Sequence, residues 1–133
     1  MTSPSAEVQK EIYEALVAAS ISGVTVIRDT PINEPGASDF PFIEIGNSQA
    51  LPVDAGGDEG LEEYVDIHSY SRANGQKEIK VIMAAIYDAL HHQTLTVTGR
   101  TTAFCWLDGS RVLDQPDGLT RHGVQTFKII HRN

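Results

Sequence analysis

The chain has 133 residues, of which 41% are hydrophobic and 21% charged, a composition typical of a single globular domain. Its formal net charge of −8, from 18 acidic and 10 basic side chains, argues against tight nucleic-acid binding, because that binding depends on Lys and Arg neutralising phosphates. The single cysteine, Cys105, excludes an intrachain disulfide, and no apolar run approaches the roughly 20 residues that cross a bilayer.

The first predicted element is a helix from about Ala6 to Ala19, with Ser3 or Ser5 as the candidate N-cap. Apolar residues recur along it at helical spacing and predict one buried stripe. The stripe comprises Val8, Ile12, Leu16 and Ala19. The β-branched run from Val24 to Ile27 follows and predicts a short strand.

Two irregular segments flank the next predicted strand, Phe42 to Gly46. Residues 29–41 are punctuated by prolines and predict an ordered surface loop or a flexible arm. Residues 50–61 combine glycines with acidic side chains and predict a mobile loop. Both segments are therefore candidates for recognition rather than for the core.

A strand and a second helix follow. From Glu62 to Ser71, alternation predicts one face with Tyr64, Asp66, His68 and Tyr70, and an opposite face with Val65, Ile67 and Ser69. The helix ends at Leu90, and Ser71 or Asn74 is its candidate N-cap. Its predicted buried stripe comprises Ile79, Ile82, Met83, Ile86 and Leu90.

The last quarter of the chain predicts a hairpin, preceded by a short strand or extended lead at residues 95–97. Its strands are Arg100–Leu107 and Arg121–Arg132, joined through Ser110–Gln115 and a turn at residues 116–118. Apolar residues on both faces of residues 104–107 predict burial on both sides, by an ordinary core or by a neighbouring subunit. Together the elements predict an α+β fold, two helices packed on a mostly antiparallel sheet, in one small domain spanning residues 1–133.

The residues that could carry chemistry do not form a known constellation. His91 and His92 are neighbours on a helix, so their side chains diverge by about 100° and do not chelate together easily. The acidic residues near Gly56 depart from the EF-hand spacing, and Cys105 belongs to no catalytic motif. We therefore expect no catalytic residue, metal or cofactor, a solvated acidic loop, and a structural, hydrogen-bonded role for His68.

Several segments, taken in order, resemble one family. They are Pro41-Phe42-Ile43-Glu44-Ile45-Gly46, Ile67-His68-Ser69-Tyr70-Ser71 followed by Gly75 and the second helix, Leu90 with Leu95, Val97 and Gly99, and Arg111-Val112-Leu113 ahead of Asp117-Gly118 and His122-Gly123-Val124. This order resembles the small tail-completion or tail-terminator proteins of long-tailed phages and gene transfer agents. That family is similar in fold to the tail terminator of phage lambda.

The resemblance implies a structural virion protein rather than an enzyme. It implies a homo-oligomeric, hexameric ring that caps the head-proximal end of the tail tube, stops tube polymerisation and joins tail to head. The implied partners are the tail-tube protein and a head-completion or neck protein, with DNA passing through the ring without specific binding and no membrane involved. The implied location is the host cytoplasm during assembly and then the particle tail, which agrees with an N-terminus that lacks secretory features.

Loops placed by a rigid scaffold usually supply the recognition surface in such an assembly. The candidate partner-facing residues therefore lie in the two irregular segments. They are Asp29, Asn33, Glu34, Asp39, Leu51, Asp54, Asp58 and Glu59. The alternatives are a neck or head-closure adaptor ring, which would dock on the portal side, and, more remotely, a metal-binding enzyme.

Overall fold

The computed structural model describes residues 5–24, 26–30, 36, 39–53, 60–97 and 102–132. Two helices and six strands occur in this part of the chain. They are α1 (Ser5–Ala18), β1 (Val26–Arg28), β2 (Phe42–Pro52), β3 (Gly60–Ser71), α2 (Lys77–Leu90), β4 (Gln93–Thr94), β5 (Thr102–Asp114) and β6 (Arg121–Arg132). Neither helix in these ranges is long and apolar enough to cross a membrane.

The strands form one curled sheet in the order β1-β2-β3-β6-β5-β4. Strand β1 runs parallel to β2, and every other neighbouring pair is antiparallel. The three long central pairs, β2–β3, β3–β6 and β6–β5, run nearly the full length of their strands. The α+β class and the mostly antiparallel sheet are thus confirmed.

The helices and one face of the sheet share a single apolar core. The predicted α2 stripe is buried at all five positions, and α1 buries Val8, Ile12 and Leu16. Ala19, which the sequence pattern placed in the α1 stripe, lies beyond the end of the helix and is exposed. Ile43, Ile67, Phe127 and Ile129 supply the sheet side of the core. Each such side chain stabilises the fold by about 1.5–3 kcal/mol relative to exposure.

Strand β2 is longer than predicted. It continues past Gly46 to Pro52, because the register shifts between Ile45 and Ser48 and pairing with β3 then resumes. A bulge of this kind places extra residues in one strand while the pairing with its neighbour continues on both sides. The mobile loop predicted at residues 50–61 is therefore wrong at both ends, where residues 50–52 and 60–61 are paired strand.

Strand β5 is also longer than predicted. Residues 110–114, expected to connect the hairpin strands, pair with β6 after a register shift between Leu107 and Gly109. The turn itself is confirmed: Gly118 has φ 72° and donates from its amide to the Gln115 carbonyl at 3.0 Å. Before β5, the extended lead is tied down by the Leu95 amide, which donates to the Ala103 carbonyl at 2.6 Å.

The predicted N-caps of α2 are wrong. Gln76 occupies the cap position and makes no side-chain capping hydrogen bond. Ser71 ends β3 instead, where its hydroxyl donates to Glu78 Oε1 at 2.6 Å and accepts from the Ala73 amide at 3.2 Å. Ser71 therefore joins the end of β3 to the first turn of α2 without capping the helix.

Candidate functional site

Three of the predicted partner-facing residues, Asp29, Asp39 and Leu51, lie in the described part of the chain. The other five lie outside the described residues. They are Asn33, Glu34, Asp54, Asp58 and Glu59. The structure therefore does not test whether this set forms one site, and the set stays a prediction.

The described members of the set have different surroundings. Asp29 Oδ2 accepts a hydrogen bond from Gln9 Nε2 of α1 at 3.0 Å, and Asp39 Oδ2 accepts one from the Gly36 amide at 2.8 Å. Leu51 is 41% exposed on β2. The two carboxylates thus have local structural partners, whereas Leu51 presents apolar surface near the end of a strand.

The sheet face opposite the core carries a row of stacked rings. Phe42 stacks on Tyr70 at 4.8 Å between centroids, Tyr70 on His122 at 4.5 Å, and His122 on His68 at 4.9 Å. Arg72 lies beside this row, and its guanidinium carbon is 4.2 Å from the Phe40 ring centroid. These contacts join β2, β3 and β6 on a face that no described helix covers, and the ring stacking stabilises the pairing of these strands.

A histidine pair lies in this row. His68 Nδ1 is 2.7 Å from His122 Nε2, and Gln115 Nε2 is 2.9 Å from His122 Nδ1. Because the Gln115 amide nitrogen only donates, neutral His122 accepts at Nδ1 and donates from Nε2 to His68. Burial, then the nearby His68 and Arg111, lower the pKa of His122 to about 4. The hydrogen bond expected of His68 is thus present, and its structural role stays a prediction.

A second row crosses the same face beside β5. Lys128 Nζ lies 5.4 Å from the Trp106 ring centroid and 5.7 Å from that of Tyr64, and 3.5 Å from Glu62 Oε1. Burial lowers the pKa of Lys128, but Glu62 and Tyr64 outweigh it, so the net shift is upward. Phe104 tilts against Trp106 at 5.6 Å. The charge of Lys128 is therefore held between two aromatic rings.

Of the two alternatives for burial on both sides of β5, the ordinary two-sided core is wrong within the described chain, and cover by a neighbouring subunit stays a prediction. Cys105 is fully buried on the core side, and burial raises the pKa of its thiol to about 12, which makes it unreactive. Phe104 and Trp106, on the opposite side, are only half-buried. No described helix covers them, because both helices lie on the core face.

The core itself contains an ionisable pair that the sequence interpretation missed. Glu63 is 1% exposed and His131 is 0% exposed, and Glu63 Oε1 lies 3.1 Å from His131 Nε2. The Ser5 hydroxyl donates to the same oxygen at 3.2 Å. The start of α1 is thereby tied to β3 and β6. Strand alternation offered a signal, since Glu63 shares the face of Val65 and Ile67.

Metal-ligating side chains do not cluster in the described part of the chain. Within the described ranges, no three or more His, Cys, Asp or Glu side chains are placed to hold a metal ion. His91 and His92 stack at 3.8 Å, and His91 Nδ1 accepts from the Leu107 amide at 2.9 Å. The His91 contact therefore joins the end of α2 to β5.

The sheet has two edges that are only partly covered. Strand β1 pairs with Phe42–Glu44 alone, and β4 pairs with Phe104 and Cys105 alone. Among the described residues, Ile45–Pro52 of β2 and Leu107–Asp114 of β5 therefore have no strand on their outer sides. Apart from the Leu107 amide, which donates to His91 Nδ1, the outward backbone groups along such edges can pair with another strand.

Comparison with known proteins points to one family. The sequence profile described as "Tail completion protein gp17" matches residues 10–132. The tail completion protein gp17 of Bacillus phage SPP1 is 25% identical over 100 residues, which is 74% of each chain.

A solved structure shares the fold. A chain in the virion of a native gene transfer agent particle superposes with a TM-score of 0.79 at 19% identity, covering 94% of each chain. The profile match covers nearly all of the described sheet and both helices, since it begins within α1 and ends with β6. The chain therefore belongs to the tail completion protein gp17 family.

Proposed function

We propose that this protein is a structural virion protein that forms a ring, six-membered by resemblance, on the head-proximal end of a phage-type tail tube. The ring stops tube polymerisation and joins the tail to a head-completion or neck protein. The observation that carries this proposal is the family match over residues 10–132. The fold shared with a chain of a gene transfer agent particle supports it.

The geometry supports a structural role by its own chemistry. The aromatic rows, the His68–His122 pair and the Glu63–His131 pair all bind one element to another. The thiol of Cys105 is buried, and its raised pKa keeps it protonated at neutral pH. A sheet whose strands are joined in this way is a scaffold of the kind expected of an assembly component.

Charge is consistent with DNA passing through such a ring. The net charge of −8 opposes retention of a polyanion, because Lys and Arg contacts to phosphate supply most of the affinity of DNA-binding proteins. We include in the proposal that the predicted partner-facing residues, Leu51 among them, contact the tail-tube or neck protein.

Electron microscopy of particles made without this gene tests the proposal. Overlong or ragged tails beside tailless heads are the expected result, and the wild-type gene supplied in trans should restore normal particles. Heads that lose DNA beside tails of normal length would instead indicate a neck adaptor. Normal particles would contradict both roles.

A further inference from the structure

The outer edge of β2 carries none of the charged side chains that often block a sheet edge. From Gly46 to Pro52 it carries no charged residue, and Ser48–Pro52 are exposed along a paired strand. Natural proteins usually protect an exposed edge with charged side chains, since a bare edge recruits another strand. The bulge after Ile45 and the final Pro52 limit the stretch without covering it.

The outer edge of β5 is the second open edge of the same sheet. Past Leu107, which is half-buried, the residues 108–111, Leu113 and Asp114 are exposed, and the described chain places no strand beside them. Here the sequence does carry charges, at Asp108, Arg111 and Asp114. The two open edges are thus chemically different and lie on opposite sides of one sheet.

We propose that the β5 edge of one copy of this chain pairs, antiparallel, with the β2 edge of the next copy, so that the sheet continues from subunit to subunit. This inference rests on the proposed ring, and it names the surfaces that close it. A cyclic ring needs two different contact surfaces on each subunit, which the two edges supply.

Strand direction supports the pairing. Three antiparallel steps, β2 to β3, β3 to β6 and β6 to β5, give β2 and β5 opposite directions. Rotation about a ring axis preserves the direction of each strand along that axis. The β2 strand of the next copy is therefore antiparallel to the β5 strand that it meets, and antiparallel strands form the more stable ladder.

The stagger between the open edges also agrees with a closed sheet. When paired residues are followed across the sheet, Ala50, in the middle of the β2 edge, lies opposite Cys105 of β5, which β4 already covers. Arg111, on the open part of β5, lies opposite Glu44 of β2. For Ala50 of one copy to face Arg111 of the next, neighbouring copies must be displaced along the strand direction by the distance from Cys105 to Arg111, roughly 20 Å. The four strands of one copy span roughly 19 Å across the sheet. The resulting tilt of about 45° is at the upper end of the range for closed barrels.

Engineered disulfides test the contact in assembled particles. Ala50→Cys combined in one chain with Ser110→Cys, Arg111→Cys or Val112→Cys should give a ladder of covalent oligomers on mild oxidation, because facing residues of paired strands lie within disulfide reach. Ala50→Cys combined with Asp88→Cys, on the exposed surface of α2, is the matched control and should stay monomeric.

A ladder from at least one of the three pairs supports the inference. Particles that contain the protein and have normal tails, but show no ladder with any pair, would overturn the edge contact and leave the proposed function standing. Failure of the proposed function would appear separately, as normal tails after gene deletion.

A charged edge gives a second test. Ala50→Lys should lower the titre of infectious or transducing particles by about tenfold or more, because a charged side chain on an edge strand disfavours pairing with another strand. Ala50→Thr keeps a neutral side chain of high strand propensity and should assemble normally. Circular dichroism should show both variants folded, and normal assembly of a folded Ala50→Lys variant would overturn the inference.

Discussion

Glu63 and His131, from β3 and β6, form a contact of 3.1 Å in which both side chains are excluded from solvent. The Ser5 hydroxyl donates to the same carboxylate, so one buried group joins two strands and the first turn of α1. Among the described residues, His131 Nδ1 has no hydrogen-bond partner, which makes Glu63 the main polar contact of this ring.

Glu63→Ala should destabilise the fold by about 1–3 kcal/mol, because it leaves the polar ring of His131 buried without its partner. Glu63→Gln retains a hydrogen-bonding side chain of the same size and should cost less. Urea unfolding measures both. Glu62→Gln is the control: its pair with Lys128 is partly exposed and should contribute less than about 1 kcal/mol. Equal effects at positions 62 and 63 would contradict the assigned burial.

The His122 pKa makes stability depend on pH. It is lowered from 6.5 to about 4, first by burial and then by His68 and Arg111. Between these values the unfolded chain binds more protons than the folded one, so stability rises with pH through this window and falls on acidification. Because His122 is only half-buried, we expect about 1–2 kcal/mol from it.

The variant His122→Phe isolates this contribution. It preserves a ring for stacking on Tyr70 and removes the titrating group. Its free energy of unfolding, measured by urea from pH 4 to 6.5, should therefore rise less steeply with pH than that of the wild type. Parallel curves for the two proteins would show that His122 does not carry the dependence.

The hairpin turn should titrate at unusually low pH. Asp117 has a pKa lowered from 3.8 to about 2, chiefly by hydrogen bonds from the Thr120 amide, the Leu119 amide and the Thr120 hydroxyl. Its contribution is present above pH 3.8 and is lost as pH falls through 2. Carboxyl NMR titration should show this value, and Thr120→Val should move it upward. An ordinary midpoint near 3.8 would contradict the bonded turn.

Gly123 provides room for α2 against β6. A Cβ at this position would lie 2.5 Å from Met83 Sδ and 3.2 Å from Ile79 Cγ1. Gly123→Ala should therefore destabilise the protein by about 1–3 kcal/mol through overpacking. Gly109→Ala is the matched strand control, since nothing lies within 4 Å of its Cβ, and it should be nearly neutral.

A double-mutant cycle checks the cause. In a Met83→Ala background, the cost of Gly123→Ala should fall, because the flexible side chain that would clash is absent. Additive costs would mean that the backbone of β6, and not the contact with Met83, sets the requirement for glycine.

We expect the acidic residues after β2 to contribute to particle assembly. Replacing Asp54, Asp58 and Glu59 together with Ala should change the free energy of unfolding by no more than about 0.5 kcal/mol in either direction. The same variant should lower the titre of infectious or transducing particles. Asp88→Ala, on the exposed side of α2, is the control. An unchanged titre for the triple variant would exclude a partner-facing role.

Elements with a strong local period could be predicted from sequence. The α2 stripe and the alternation of β3 were predicted residue by residue, because a helix or strand that buries one face must repeat its apolar residues at a set spacing. Boundaries were less predictable. The continuation of β2 to Pro52 depends on backbone bonds to β3 across a bulge, which leave no signal in the side chains.

By itself, the sequence determined the order of elements, the faces that they bury and the family resemblance. Only the tertiary structure decided which polar residues meet, since His68 and His122 are 54 positions apart and Glu63 and His131 are 68 apart. It also decided which strand edges stay open. Both depend on register between distant strands, and register is set by the packing of the whole sheet against its helices.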